Sequence, residues 1–205
     1  MDTSNKCQRK HVKDYEMFFH LTSLDNLDSI LEQGILPRAD LTEQFSNFDD
    51  VADSEIISFR ERVGLDKYVP FHFFPHNPFD GRVQTDNPNK TFIYICLHKR
   101  WTTNNRFKVI PTHPKHMDKF KMYNYEEGLT KIDWDLMNTR DYNNYECKQL
   151  CMAECVIDAP VPFRAFHSIA VKDESTKKIV EDKVKIYNKK CNVKVYVNIR
   201  RSWFV

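Results

Sequence analysis

The sequence predicts an α+β domain built of two small packed β-sheets with flanking helices. Three observations carry that expectation. Apolar runs are short and numerous, as strands are, and only three or four segments show a helical period. Strand-like and helix-like segments come in mixed order, unlike the strict alternation of a parallel doubly wound sheet. Two polar stretches, 75–90 and 131–148, read as long loops, and long loops in a compact domain tend to carry function.

The elements follow in order. Residues 1–14 are charged, lack an apolar centre and read as a flexible arm, not a secretory signal. A single domain is expected over 15–205, in the cytoplasm, with its cysteines reduced. Residues 17–20 form a strand. A helix follows, with Thr22 as cap, Asp25 in the first turn and Leu24, Leu27, Ile30 and Leu31 as the apolar stripe. Gly34 closes it and Pro37 prevents continuation. Residues 38–54 are polar and acidic, a loop, and 54–63 a helix. Residues 68–74 form a strand whose Pro70 calls for an edge or a bulge. Further strands are expected at 91–97, 107–110, 152–157, 165–171 and 193–199. Residues 113–123 are weakly helical. The helix at 173–190 turns Ile179, Val180, Val184 and Tyr187 inward.

Composition removes several function classes. With 205 residues, fifteen Phe, nine Tyr and three Trp, the chain can fill one core, so disorder is excluded. No apolar run approaches the roughly 20 residues of a membrane helix. The four glycines, Gly34, Gly64, Gly81 and Gly128, form no phosphate-cradling loop. Cys147, Cys151 and Cys155 recur every four residues, but no C-x-x-C pair occurs, and buried thiols are preferred to a metal site. No metal is expected.

Charge is unevenly spread. Residues 22–66 hold eleven acidic and three basic side chains, a net of −8. Residues 89–121 hold eight basic and one acidic, a net of +7, and 172–201 ten against four, a net of +6. Trp101, Phe107, Tyr187, Tyr196 and Trp203 lie in or beside the basic blocks. Phosphate neutralisation with stacking surfaces suits single-stranded nucleic acid, and a solvated lysine-rich surface is the plainer alternative. Two polar residues stand in apolar strands: His20 in MFFHLT and Glu154 in CMAECVI. Each either faces solvent or points into a cleft where its charge is held for use.

Four blocks then carry a resemblance. FFHLTSLDNLDSILEQGIL, EIISFRERVGLDKYVPFHFFPHNPF, KIDWDLMNTRDYNNYECKQLCMAECVI and VKVYVNIRRSWFV occur in that order. Together they resemble the DarT family of nucleic-acid ADP-ribosyltransferase toxins, from about Phe18 to Val205. The family pattern is an aromatic-His-x-Thr strand, an arginine-bearing helix before Tyr-Val-Pro-Phe-Tyr-Phe, Asp-Trp-Asp leading to Gln-Ala-Glu, and a Trp-Tyr-Phe ending.

The resemblance implies an ADP-ribosyltransferase fold and assigns roles. Glu154 matches the catalytic glutamate. Arg60 matches the catalytic arginine, with Arg62 its rival, and His116 a supporting histidine, with His113 its rival. His20, Thr22 and Asn26 match residues that hold NAD, the co-substrate, and Arg60 and Phe71 join them. Lys148 matches a basic contact to nucleic acid. Asn77 and Phe79 lie where the target base should sit. There the family's Pro-Arg-Ser-Pro-Met has become Pro75-His76-Asn77-Pro78-Phe79, and Gln-Ala-Glu has become Met152-Ala153-Glu154. The resemblance also implies a bacterial toxin-antitoxin or phage-defence system with a cognate antitoxin. The target that the resemblance implies is a nucleobase in single-stranded DNA, with RNA, protein transfer or plain nucleic-acid binding as alternatives.

Overall fold

The computed structural model describes residues 10–44, 49, 51, 53–104, 106–116 and 121–205. The expected arm is partly outside these residues, and what is described of it is docked. A 3-10 turn at Val12–Asp14 buries Val12 completely, and the Val12 amide donates to Asn138 Oδ1 at 3.1 Å.

Among the described residues, eight strands form one mixed sheet, not two packed ones. They are β1 (Met17–Ser23), β2 (Val69–His72), β3 (Phe92–His98), β4 (Lys108–Ile110), β5 (Tyr123–Asn124), β6 (Glu154–Ile157), β7 (Phe166–Val171) and β8 (Tyr196–Ile199). Their order is β5-β4-β6-β2-β1-β3-β7-β8, with β7 and β8 parallel and the other pairs antiparallel. The expectation of two sheets fails for a specific reason. Two four-stranded halves exist, but the register pair Phe19↔His72 joins β1 to β2 and makes them continuous. Beyond that pair the two strands diverge.

That divergence explains Pro70. In an antiparallel strand the N–H and C=O of one residue point to the same side. Pro70 O faces β1 and accepts from His20 Nδ1 at 2.9 Å, so the missing Pro70 N–H faces the gap and no ladder bond is lost. Pro70 therefore sits on a local edge inside a sheet.

Among the described residues, eight helices flank the sheet: α1 (Leu27–Gln33), α2 (Arg38–Gln44), α3 (Ser54–Arg62), α4 (Pro78–Asp86), α5 (Tyr125–Leu129), α6 (Trp134–Thr139), α7 (Tyr145–Leu150) and α8 (Glu174–Cys191). Three stretches read as loops contain helices. α2 lies in 38–54, α4 in 75–90, and α6 and α7 in 131–148. Each of the last three begins on a polar cap: Asn77 accepts from Phe79 N and Asp80 N, Asp133 from Leu136 N, and Asn144 from Cys147 N. The weakly helical stretch 113–123 holds only the 3-10 turn Pro114–His116 and the start of β5 among its described residues. Thr22 does not cap α1. Ser23 does the capping, of a 3-10 turn at Leu24–Asn26 that leads into it.

The main core fills one face of the sheet. Phe18 meets Phe73 edge-on at 5.5 Å, and Phe107 closes on both Phe18 and Phe71. Such aromatic pairs contribute about 1 kcal/mol each beyond area burial. α8 lies on this core through Val180 and Val184, while Ile179 is exposed, contrary to its expected inward position. It falls one position off the Thr176–Val180–Val184 stripe, which keeps a four-residue spacing. Cys147, Cys151 and Cys155 are all buried. No helix among the described residues is long and apolar enough to cross a membrane.

Candidate active site

A cleft opens where β1 and β2 diverge. Its lining comes from β1 (His20, Thr22), α1 and its exit (Ile30, Gly34), α3 (Arg60), β2 (Pro70, His72), α4 (Phe79, Asp80) and β6 (Glu154). The site thus draws on both halves of the sheet, and the narrow joint between them makes the opening.

Glu154 occupies the first position of β6, with His72 and Ile110 as its cross-strand neighbours. It is buried, at 6% exposure. Arg60, on the inner side of α3, meets it: Nη1 lies 2.8 Å from one carboxylate oxygen and 2.9 Å from the other. Arg60 Nη2 is buried with no hydrogen-bond partner. A guanidinium with one nitrogen engaged and the other vacant is half satisfied, and a buried donor in that state calls for an anionic or carbonyl oxygen. Arg62 is placed differently. It is exposed, with its guanidinium 5.6 Å from the Phe59 ring. The two arginines are two residues apart on α3 and so face opposite ways.

His20 is half-buried, and desolvation pushes its pKa down to about 4, so the ring is neutral near pH 7. The Pro70 carbonyl is only an acceptor, so Nδ1 carries the proton and Nε2 is left as an acceptor. Thr22 Oγ1 accepts from Asn26 Nδ2 at 3.3 Å and keeps its own proton to donate. The Asn26 amide is committed elsewhere: Nδ2 also donates to Asp49 O, and Oδ1 accepts from Asp49 N, at 3.0 Å each. Asn26 lines the cleft chiefly as the anchor of the segment at Asp49, which is itself ion-paired to Lys90.

A polar network backs the cleft, and the sequence did not point to it. His72 and Asp80 approach to 3.9 Å, His72 Nδ1 donates to Ala153 O, and Asp80 accepts from Tyr94 Oη and Asn77 Nδ2. Burial pushes the Asp80 pKa up to about 6, against the opposing pull of His72 and these hydrogen bonds. The one available signal was His72 in the otherwise apolar VPFHFF.

The remaining candidates divide. Phe79 lines the cleft, its ring 5.7 Å from that of His72. Phe71 does not. It is wholly buried on the opposite side of β2 from His72, behind His20, with ring centroids 5.7 Å apart. It supports His20 and is closed to a ligand. Asn77 is likewise wholly buried, its amide committed to Phe79 N, Asp80 N, Phe74 O and Asp80 Oδ2. It caps α4 and so positions Phe79 and Asp80, without surface to offer a base. Lys148 is exposed on α7 and does not line the cleft. The side chain of His116 lies outside the described residues. Its rival His113 has its pKa lowered by burial, opposed by the negative charge of Glu154, which places it within electrostatic reach of that carboxylate.

Comparison with known proteins follows this geometry. The family model described as ssDNA thymidine ADP-ribosyltransferase, DarT, matches residues 19–205. A DNA ADP-ribosyl transferase–DNA ADP-ribosyl glycohydrolase fusion protein from Thermosipho africanus is 25% identical over 169 residues, 78% of this chain and 43% of the relative. The chain therefore spans less than half the length of that relative. Among solved structures, Thermus sp. 2.9 DarT in complex with ADP-ribosylated ssDNA superposes with a TM-score of 0.75 at 19% identity, covering 93% of this chain and 96% of that one. Thermosipho africanus DarTG in complex with ADP-ribose gives 0.75 at 19% identity, with 93% and 51% covered. At these identities the structural likeness establishes the fold.

Proposed function

The chain belongs to the DarT family of single-stranded DNA thymidine ADP-ribosyltransferases, and on that premise we propose that its cleft transfers ADP-ribose from NAD to a thymine base of single-stranded DNA. The observation that carries this reading is the buried Arg60–Glu154 pair with its vacant Nη2. NAD supplies an ADP-ribosyl group whose ribose gains positive charge as nicotinamide departs. Glu154 is a fixed negative charge in a partly dry cleft, the arrangement that favours such developing charge. Arg60 holds the carboxylate in place with Nη1 and offers Nη2 to an oxygen of the co-substrate. His20 Nε2 accepts a hydroxyl or amide hydrogen, and the Thr22 hydroxyl donates one. Phe79 is an aromatic face for the acceptor base.

A thymine nitrogen that attacks the ribose must lose its proton. Glu154 and the histidine pair His113 and His116 are the candidate acceptors. A base can be reached only when unstacked, which suits a single strand. Lys148, exposed six residues before Glu154, serves the backbone of that strand.

The biological setting follows from the same premise. The chain acts as the toxin of a toxin–antitoxin pair inside the cell, and the Thermosipho relative's fusion to a DNA ADP-ribosyl glycohydrolase supports an antitoxin that reverses the modification. The test is to incubate the protein with NAD and matched single-stranded DNA and RNA oligonucleotides beside a protein extract, then analyse nucleosides by mass spectrometry. ADP-ribosyl-thymidine from DNA is expected. Label on RNA alone moves the substrate class, and label on protein alone overturns the proposal.

A further inference from the structure

We propose that a second cleft, on the sheet face that carries Glu154, holds the acceptor strand some nucleotides away from the modified base. Directly opposed residues of neighbouring strands project on the same face. The registers Glu154↔His72, His72↔Phe19, Phe19↔Cys96 and Cys96↔Ser168 therefore make one row of side chains across β6, β2, β1, β3 and β7. The second cleft has Phe19, Cys96 and Ser168 of that row as its floor. At about 4.8 Å per strand, its floor begins roughly 10 Å from Glu154 and ends roughly 19 Å away. At an axial rise of ~3.4 Å per stacked nucleotide, and more when unstacked, the floor itself accommodates at most about three nucleotides.

The walls have the chemistry of a single-strand subsite. Tyr15 and Trp203 are half-buried aromatics, and Lys10 and Arg200 bring two cations. Arg200 lies 5.9 Å from the Trp203 ring, so stacking surface and phosphate partner are adjacent. Glu16 and Asn198 add groups that hydrogen-bond base edges. The cleft is rimmed by the end of the basic block 172–201, with its net charge of +6. A link separates it from the first cleft: His76, just ahead of α4, has Nδ1 3.2 Å from Ser202 O, so a strand that enters both clefts crosses over this joint between α4 and the turn that carries Trp203.

The inference rests on the nucleic-acid reading above, but its test is binding, not transfer. Thymidine oligonucleotides are lengthened stepwise, first on one side of a central thymine and then on the other, and affinity is read by fluorescence anisotropy. Wild-type affinity should rise roughly tenfold as the strand grows by three or four nucleotides on one side only. The double variant Lys10→Glu, Arg200→Glu should lose that gain while binding the shortest strand as wild type does. Lys178→Glu, an exposed charge on α8 away from the cleft, should keep the gain. A gain that survives in the double variant, or is lost equally in Lys178→Glu, or never occurs in wild type, overturns the subsite. Loss of transfer to any base with the length dependence intact would instead overturn the proposed reaction and leave the subsite standing.

Discussion

Arg60 Nη1 lies 2.8 Å and 2.9 Å from the two carboxylate oxygens of Glu154, joining α3 to β6 across 94 residues of sequence. One donor bridging both acceptors leaves the second guanidinium nitrogen buried and vacant. The pair is a structural tie, and in the proposed function its vacant nitrogen takes an oxygen of the co-substrate.

Arg60→Lys should cost at least tenfold in transfer rate, because an ammonium cannot hold the carboxylate and still offer a second planar donor. Arg62→Lys should change the rate by less than about twofold, as befits an exposed surface charge. Steady-state rates on a thymidine oligonucleotide decide the matter. Equal, mild effects would remove the arginine from the mechanism.

His20 makes a pH prediction. Its folded pKa of about 4 lies below the usual 6.5, so between those values the unfolded chain binds a proton that the folded chain refuses. Stability should therefore fall as pH drops from 6.5 toward 4. Asp80, raised to about 6 from 3.8, works the other way over about pH 4–6 and flattens the wild-type curve. His20→Gln removes the first effect alone. Relative to pH 7, denaturant titration at pH 5 should show wild type losing about 2 kcal/mol more than His20→Gln. Parallel curves for the two proteins would contradict a desolvated, neutral imidazole.

Gly34 and Gly64 both have positive φ, +86° and +74°, but only one is crowded. A Cβ at Gly34 would meet Val161 O at 2.5 Å, whereas nothing lies within 4 Å of one at Gly64. Gly64→Ala should cost about 1 kcal/mol, the backbone strain alone. Gly34→Ala should cost roughly 2–3 kcal/mol and weaken NAD binding, since Gly34 and Ile35 line the cleft. Thermal melts and NAD titration check both, and equal costs would refute the assigned contact.

The cysteines should be indifferent to metal. Cys147 Sγ donates to Leu136 O at 3.2 Å and Cys151 Sγ to Met137 O at 3.5 Å, which requires protonated thiols, and burial drives the Cys155 pKa upward. Chelator and reductant should leave activity within experimental scatter. Stoichiometric zinc in the purified protein would contradict this.

Much of this was legible in the sequence, for physical reasons. Seven of the eight strands were marked by apolar runs, whereas the two-residue β5 lay in or beside a stretch read as weakly helical, and α1 was marked by Leu27, Ile30 and Leu31 with Gly34 behind them. The hidden helices α4, α6 and α7 were missed because they are short and polar, stabilised by the caps Asn77, Asp133 and Asn144 and by packing that no periodicity reveals. His20 and Glu154 stood out as polar residues in apolar strands. The choice of Arg60 over Arg62 required knowing which face of α3 turns inward. The fates of Phe71 and Asn77 depended on the pleat of β2 and on a buried cap, both set by tertiary contacts. The joining of the two half-sheets hangs on one register pair, Phe19↔His72, which leaves no trace in composition.

The central claim is that Glu154, held by Arg60, stabilises the charge that develops during NAD-dependent transfer to a DNA base. The most direct measurement is the single-turnover transfer rate of Glu154→Gln on a thymidine oligonucleotide, followed by intact-mass spectrometry, with folding checked by circular dichroism. The variant keeps size and hydrogen bonding but loses the charge, so a folded protein slower by roughly 10²–10³ is expected. A folded Glu154→Gln protein that adds the ADP-ribosyl mass at the wild-type rate would contradict the account.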